Sequence, residues 1–584
     1  MTKKTTKLTI AHINDTHSYF DPSSVYLQLS IEHKDPVHAY VSCGGFSRIA
    51  SRVKQLKAES VRNGSEFLFL HAGDCFQGTL YYSLYKGLAN ADLLNEIGID
   101  AMALGNHELD MGNEPVADFI QHINFPLLAG NWDLSNESKE KEKRLSDASN
   151  LLSYSPKSKT ANYLTKWVNG ERVAIFGLSI DMMADIANPD FDTPFVNALK
   201  TARNTVAMLH NEGINNIILL SHLGYEGDLE LARQTDGIGL IIGGHSHVLQ
   251  GDFSNLGFSQ QDNYGVEING TRVVQAGCHA LAMGHMEIEF DTDGNVVSFE
   301  GANELLFGQR LCLDAIRTTE LEEDLYQQAR EYLMAQPNVY FCKKDEQVEK
   351  LMNERYRPEV EALQNTEIGV VQSSLRHVRI PDEKGGSEVA PLVTLSFLWK
   401  ANQEGFEADF ALHNAGGVRA SIPEGSVSSA DIAGKVLPFA VPVSVYEIKG
   451  KYLALAIESA IDNATNNGVV GTGSGSFPYS AGLRYEYDAN QPSGSRLTYI
   501  QIQTGAGEWL DLQPDRVYRG VSSAYTIKGK EGYSALLNVE SEPVITPFSM
   551  ADCFNDYIVD QKGLSKLEVS VNRYIAGAAE ASVA

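Results

Sequence analysis

Cysteine is scarce in this sequence and follows no pattern. Cys43, Cys75, Cys278, Cys312, Cys342 and Cys553 are the six thiols of 584 residues, with no CxxC pair and no finger spacing. That excludes a disulfide scaffold and a zinc ribbon and reads as a reduced chain. No apolar run is long enough to cross a membrane, and the opening "MTKKTTKLTIAHIND" has a basic start without an apolar stretch of signal-peptide length. The reading is a soluble protein, cytoplasmic if the N-terminus is complete and periplasmic or secreted if a leader has been removed. Positive charge is also short. Lys and Arg number 47 against 75 Asp and Glu, a formal net charge of -28, which argues against a nucleic acid polymer as partner and leaves room for a small anion. Tandem repeats are lacking, and "GVVGTGSGSF" is a short glycine-rich loop. With 43% hydrophobic and 21% charged residues the composition is globular, and the length calls for two or more cores.

What is present, up to about residue 300, is an alternation of short apolar runs with helical spacing. The runs include "FLFL", "AMAL", "VAIFGL", "NNIILL" and "IGLIIGG", and between them "CGGFSRIASRVKQLKAES" and "TARNTVAMLHNEG" read as helices. This rhythm predicts an α/β layered domain with buried strands. The polar stretch from "NWDLSNESKEK" to "SPKSKT" reads as an insertion or long surface loop. Residues 319–364 are charged and helix-forming, broken at Pro337 and Pro358, and are expected to connect the first domain, 1–318, to a second α+β unit, 365–575. Residues 576–584 read as a frayed tail.

The strands of the first domain repeatedly end in side chains that bind metals. Asp15 and His17 follow "KLTIAHIN" two residues apart, where side chains alternate and both can face one object. "FLFLHAGD" ends in Asp74, "AMALGNHELD" carries Asn106, His107 and Asp110, "NNIILLSHLG" ends in His222, and "IGLIIGGHSHV" carries His245 and His247. Ligands of open α/β sheets bind beyond the carboxyl ends of strands, so these residues are expected in one crevice. Oxygen and imidazole donors without thiolate suit zinc, manganese, iron or cobalt. There are donors enough for two divalent ions, which can clamp a phosphoryl group and acidify a bound water, and Asp74 is the expected bridge.

In their order, "NDTH", "GD", "GNHELD", "SHLG" and "GGHSH" resemble the calcineurin-type metallophosphoesterase pattern, and "LHNAGGVRASIPEG" at 412–425 resembles the C-terminal domain of the bacterial 5'-nucleotidase and UDP-sugar hydrolase family. Finer details, "GSFPYSAGLRYEYD" and "LGNHELDMGNE", resemble its NAD-hydrolysing branch. The resemblance implies an N-terminal four-layer α/β/β/α sandwich and a separate α+β substrate-binding domain, with rotation between the two. It implies one ion held by Asp15, His17, Asp74 and His247 and another held by Asp74, Asn106, His222 and His245. His247 stands where many members carry Gln or Asn. His107 is expected to pair with Asp110 and to stabilise charge on the phosphate as an imidazolium. His12, His71 and His279 are expected in structural or supporting roles.

For the substrate, Phe477 and Tyr525 resemble the family's aromatic pair that stacks a nucleobase, an interaction open to every base. Arg376, Arg379 and Arg419 match positions that contact phosphate, for which the arginine fork is suited. Asn414, Gly416 and Gly417 form a turn where backbone can approach ligand closely. Glu531 stands where the family's ribose-binding Asp stands, and Arg484 reads as a strand-surface residue. The expected activity is metal-dependent release of phosphate from nucleoside 5'-monophosphates. Alternatives are hydrolysis of NAD, of UDP-sugars or of cyclic nucleotides, cleavage of sulfur esters, or nucleotide binding without turnover. The sequence leaves the oligomeric state open.

Overall fold

A computed structural model describes residues 5–31, 36–314, 318, 323–439, 441–505, 507–567 and 572–576. Contacts divide the chain into two units, Met1–Pro358 and Glu359–Ala584.

The first unit contains two sheets. In one, the strand Thr6–Ile13 runs parallel to Glu66–His71 and antiparallel to Ala282–Phe290, and Glu66–His71 is followed by the parallel neighbours Ala101–Ala103 and Leu127–Ala129. In the other, Glu171–Ser179, Asn216–His222, Leu240–Ile242 and Thr271–Val274 lie side by side, all parallel. Alternation along each strand decides what it buries. Ile218, Leu220, Leu240 and Ile242 share one core with Leu8, Ile10, Leu68 and Leu70 of the first sheet. The intervening Ile217, Leu219 and Ile241 pack instead with Ala202, Val206 and Leu209 from the helix Ala198–Asn211. The helix Phe46–Asn63 buries Phe46, Ile49, Ala50, Val53 and Leu56, contacts the strands Thr6–Ile13 and Glu66–His71 of the first sheet, and stops at Gly64 in the left-handed conformation. Helix, sheet, sheet and helix make the four layers, the α/β sandwich inferred from sequence.

The stretch read as a connector is built into this unit as far as Pro358. Leu325, Ala329 and Leu333 share a core with Leu27, Val37 and Phe307, and Val339–Phe341 extends the first sheet beside Leu305–Phe307. Ser47 hydrogen-bonds Glu349 at 2.8 Å, fixing the next helix against Phe46–Asn63. The strand Val296–Leu313 offers a sheet edge there, and pairing it satisfies backbone groups that a free connector would leave to water. The polar stretch after Gly130 is also only partly a loop, because Leu151–Ser155 pairs in parallel with Leu127–Ala129. The tail read at 576–584 lies, beyond residue 576, outside the described residues.

In the second unit a five-stranded sheet runs in the order Pro478–Ala481, Phe410–Asn414, Val517–Ser523, Pro442–Lys449, Val544–Ser549. The helix Ala390–Gln403 packs against the first three of these and against the helix Met550–Gln561. Phe410–Asn414 delivers the Asn-Ala-Gly-Gly turn at its end.

Candidate metal centre

Parallel strands carry their carboxyl ends to one edge, and the loops there are tied to one another by backbone hydrogen bonds. Asp15 N donates to Gly73 O at 2.9 Å and His17 N to Asp74 O at 3.1 Å, so the first two loops run as a ladder past the end of their strands. Both oxygens of the Asp15 carboxylate accept from His245 N at 3.0 Å, and Asp15 O accepts from His279 N at 2.8 Å. Asn14 fastens a further loop, donating to Gly277 O at 2.6 Å and accepting from Ala276 N at 2.8 Å. The cost is backbone strain. Asp15, His17, Asp74, His245 and His247 all have φ between 47° and 73°, a region that L side chains rarely adopt.

Close approach of the loops requires glycine at two points. A Cβ at Gly105 would lie 2.2 Å from Asp74 Oδ1, and one at Gly73, whose φ is +92°, would lie 2.6 Å from His222 Nδ1. The loops are then locked by Glu108. Its fully buried carboxylate accepts from four backbone amides, those of Asp74 at 3.1 Å, Cys75 at 2.7 Å, Phe76 at 3.1 Å and Gly105 at 2.7 Å.

Three groups of donor atoms result, each lying within 4.8 Å of one another: Asp15, His17 and His247; His17, Asp74 and His107; Asp74, His222 and His245. Asn106 joins the third, its Oδ1 standing 2.9 Å from His245 Nδ1 and 3.2 Å from His222 Nε2. Asp74 belongs to two of the groups and stands 3.1 Å from His222 Nε2. Carbonyls fix the imidazoles from behind. His222 Nδ1 donates to Ala72 O at 2.7 Å and His17 Nδ1 to Phe76 O at 3.0 Å, which turns Nε2 of each ring toward the centre. His17 Nε2 then faces His247 Nε2 at 3.2 Å. Buried carboxylates opposed by inward-turned ring nitrogens fit divalent cations of the kind oxygen and imidazole donors select.

The electrostatics agree. Burial pushes the Asp15 carboxyl up to about 7 against the pull of the His222 charge, with the Asp74 charge adding to the rise. Asp74 is buried too, but the charges of His222 and His107 and the hydrogen bond from His222 hold it well below the usual carboxylate range. Burial lowers His17 far below its ordinary value and lowers His245 to about 4, as suits neutral ligands. His107 goes the other way. Burial opposes its charge, yet the carboxylates of Asp110, 2.6 Å from its Nδ1, and of Asp74 push it to about 10. An imidazolium is thus held at the edge of the donor groups. His12, bonded to the Tyr264 hydroxyl, and His71, bonded to Thr16 and Gly73 N, are buried outside the three groups.

In the second unit the substrate candidates are only partly assembled. The charges of Arg379 and Arg419 both bear on His377, which burial and those charges lower to about 4. Arg379 also faces Glu531, where burial outweighs its pull and raises the carboxyl, and the Tyr525 hydroxyl hydrogen-bonds the same carboxylate. Asn414 accepts from Thr526, the neighbour of Tyr525, at 3.2 Å. Arg376 is turned to an ion pair with Asp382 at 2.6 Å. Phe477 is 2% exposed, and among the described residues its ring neighbours are Tyr479 and Tyr574, both 5.6 Å away. Phe477 also walls a cavity of about 490 Å³ with Asp382 and Tyr485. Gly417 is close-packed: a Cβ there would lie 2.2 Å from His413 Nε2. Arg484 pairs with Gln501 and lies over the Trp509 ring, as a strand-surface residue would. Sequence reasoning missed Glu108 and His377. Glu108 sat inside "GNHELD" and could have been asked what its carboxylate accepts, whereas nothing local marked His377.

The fold and the crowded strand-end donors define a calcineurin-like phosphoesterase, and residues 8–249 match that family while residues 367–538 match the 5'-nucleotidase C-terminal domain. The "Probable 5'-nucleotidase" of Treponema pallidum (strain Nichols) is 30% identical over 558 residues, 92% of this chain and 88% of that protein. The "NAD 5'-nucleotidase" of Haemophilus influenzae is 28% identical over 557 residues, 92% and 87% of the two chains. Among solved structures, the 5'-nucleotidase precursor from Thermus thermophilus is similar with a TM-score of 0.65 and 29% identity, covering 98% of this chain and 100% of that one. The chain belongs to the 5'-nucleotidase family and is a metal-dependent phosphoesterase. No helix of the described residues is long and apolar enough to cross a membrane.

Proposed function

We propose that this protein hydrolyses nucleoside 5'-monophosphates to nucleoside and phosphate. One observation carries the reading: a single buried carboxylate, Asp74, lies with His222 and His245 on one side and with His17 on the other, and His107, hydrogen-bonded to Asp110, stands beside it. In this reading Asp15, His17, Asp74 and His247 hold one divalent ion, and Asp74, Asn106, His222 and His245 hold the other. When bound, such ions supply Lewis-acid charge to a phosphoryl group and a water of lowered pKa as nucleophile. The chain's own residues do the rest. The carbonyls of Ala72 and Phe76 fix the orientation of the His222 and His17 rings, so that Nε2 of each is already turned toward the centre. His107 keeps a proton on Nδ1 against Asp110, and its positive charge meets negative charge developing on the phosphoryl oxygens. Because the loop is pinned by Glu108, little reorganisation is needed as that charge forms. In the second unit Arg379 and Arg419 are the proposed phosphate contacts, and the Tyr525–Glu531 pair is the proposed nucleoside contact.

A second reading, cleavage of the pyrophosphate bond of NAD, is favoured by the NAD 5'-nucleotidase relative that aligns with nearly the whole chain. Metal-reconstituted protein incubated with AMP, NAD and UDP-glucose, beside His107→Ala, separates the two. Phosphate and adenosine from AMP, lost in the variant, support the first reading. AMP and nicotinamide mononucleotide from NAD without turnover of AMP establish the second, and no turnover of any of the three removes both.

A further inference from the structure

A fourth group of donor atoms lies beside the centre and is not absorbed by the function above. His247, Cys278 and His279 each bring a donor atom within 4.8 Å of the others. The backbone holds them so. Gly277 N donates to Val248 O at 2.9 Å, Leu249 bridges to Ala276, and His279 N is fixed on Asp15 O at 2.8 Å, so the loop carrying Cys278 and His279 lies against the segment carrying His247. His279 and Ala280 take φ of 57° and 54° to make the turn. The His279 ring stands edge-on to His247 at 5.8 Å and is backed by the stacked Tyr19 ring at 4.2 Å. Cys278 and His279 are half-buried and His247 is exposed, so an ion can reach the group. Among the described residues all six thiols are free, and Cys278 alone belongs to such a group.

Two imidazoles and a thiol form a donor set unlike the oxygen and imidazole donors around Asp74, and thiolate selects softer cations. We propose that His247, Cys278 and His279 form a separate cation site that takes a thiophilic divalent ion of the zinc or cadmium class and draws His247 away from the Asp15 group. Binding replaces the thiol proton, which passes to solvent, and forms a sulfur-to-metal bond without change of oxidation state. The site rests on these three residues and on no particular substrate.

Cobalt(II) titration of the full chain reads it directly. The expected result is a near-ultraviolet sulfur-to-cobalt charge-transfer band in the native protein, lost in Cys278→Ser, reduced in His279→Ala and unchanged in Cys312→Ser, which alters the exposed thiol. Visible cobalt transitions from the Asp74 groups persist in all four proteins, which separates this test from the phosphoesterase reading. A native protein without the band, or a band that survives in Cys278→Ser, overturns the proposal. Should Cys278→Ser fail to fold, alkylation of native protein with iodoacetamide, read by peptide mass spectrometry, decides: cadmium protects Cys278 if the site exists, and an unchanged rate of Cys278 labelling disproves it.

Discussion

Replacing Asp110 with Asn tests the charge on His107 without emptying its place. Nδ1 of His107 donates to Asp110 Oδ2 at 2.6 Å, and the His107 side chain is 26% exposed. Burial disfavours the imidazolium, but Asp110 first and Asp74 second carry it to about 10. A cation held at Asp74, as proposed, would neutralise that carboxylate and leave Asp110 as the main support, with the titration somewhat below that value. A hydrogen bond to a charged group contributes about 2–3 kcal/mol, and one pKa unit corresponds to about 1.4 kcal/mol. Solvent reaching part of the ring discounts this, leaving a drop of about one to two units on substitution. The sign follows from the direction of the shift. The folded value lies above the ordinary 6.5, so the imidazolium is complete below that pH and is lost as pH rises toward the folded value. Asp110→Asn therefore brings the loss to lower pH. The assay is kcat/KM for phosphate release from AMP across pH at saturating metal. The alkaline limb is expected to move down by about one to two pH units in Asp110→Asn, and His107→Ala is expected to lose about 10²–10³-fold in rate. A limb at the same pH in native protein and Asp110→Asn would refute the role of His107.

Glu108→Gln substitutes an amide for a carboxylate that serves four backbone donors. It is expected to cost about 2–4 kcal/mol in calorimetric unfolding and about 10- to 100-fold in metal affinity by indicator competition; an unchanged melting point would contradict the anchoring role. Gly417→Ala should destabilise the second unit by about 1–3 kcal/mol because its methyl group meets the buried His413 ring, and His413→Ala in the same chain should recover most of the loss in denaturant unfolding. Asp228 is raised to about 7 by burial despite its bond to Ser221, so its contribution to stability is full below about 3.8 and is lost as pH rises through about 7. Asp228→Asn should melt higher than native protein at about pH 8 with the difference shrinking toward about pH 5, and a pH-independent difference would exclude this account. Exhaustive chelation should abolish phosphate release and lower the melting temperature, since a cation at a hundredfold excess over its Kd stabilises by about 2.7 kcal/mol; full activity after chelation would end the metal reading.

The features legible in the sequence are those a strand writes locally. "NNIILL" shows that a strand is buried on both faces, and the alternation of Ile217, Ile218, Leu219 and Leu220 between two cores is the structural form of that run. The donor residues could be grouped because each follows a strand end, and parallel strands bring such ends together. Contacts between distant segments were not legible. Nothing near Phe477 announces that Tyr574 packs on it, nor does the charged composition of 319–358 reveal that Val339–Phe341 finds a sheet edge. His279 gave no sign of a donor group because His247 lies on a distant segment of the sequence.

The left-handed residues explain why the centre is both strained and fixed. Non-glycine residues in that region cost of order 1 kcal/mol or more each, and Asp15, His17, Asp74, His245, His247 and His279 all lie within it. They persist because one residue binds the loops from several sides. Asp15 donates its amide to Gly73, accepts His279 on its carbonyl, and holds the amide of His245 with its carboxylate. The side chain proposed to bind an ion thus also carries the loop of His245. Asp15→Asn keeps shape and one acceptor oxygen but weakens the hold on His245, so metal loss at this position should extend to the Asp74, His222 and His245 group, which Asp15 does not join. Cobalt spectra showing that group intact in Asp15→Asn would mean that the loops are fixed independently and that the strain is borne by the Glu108 anchor alone.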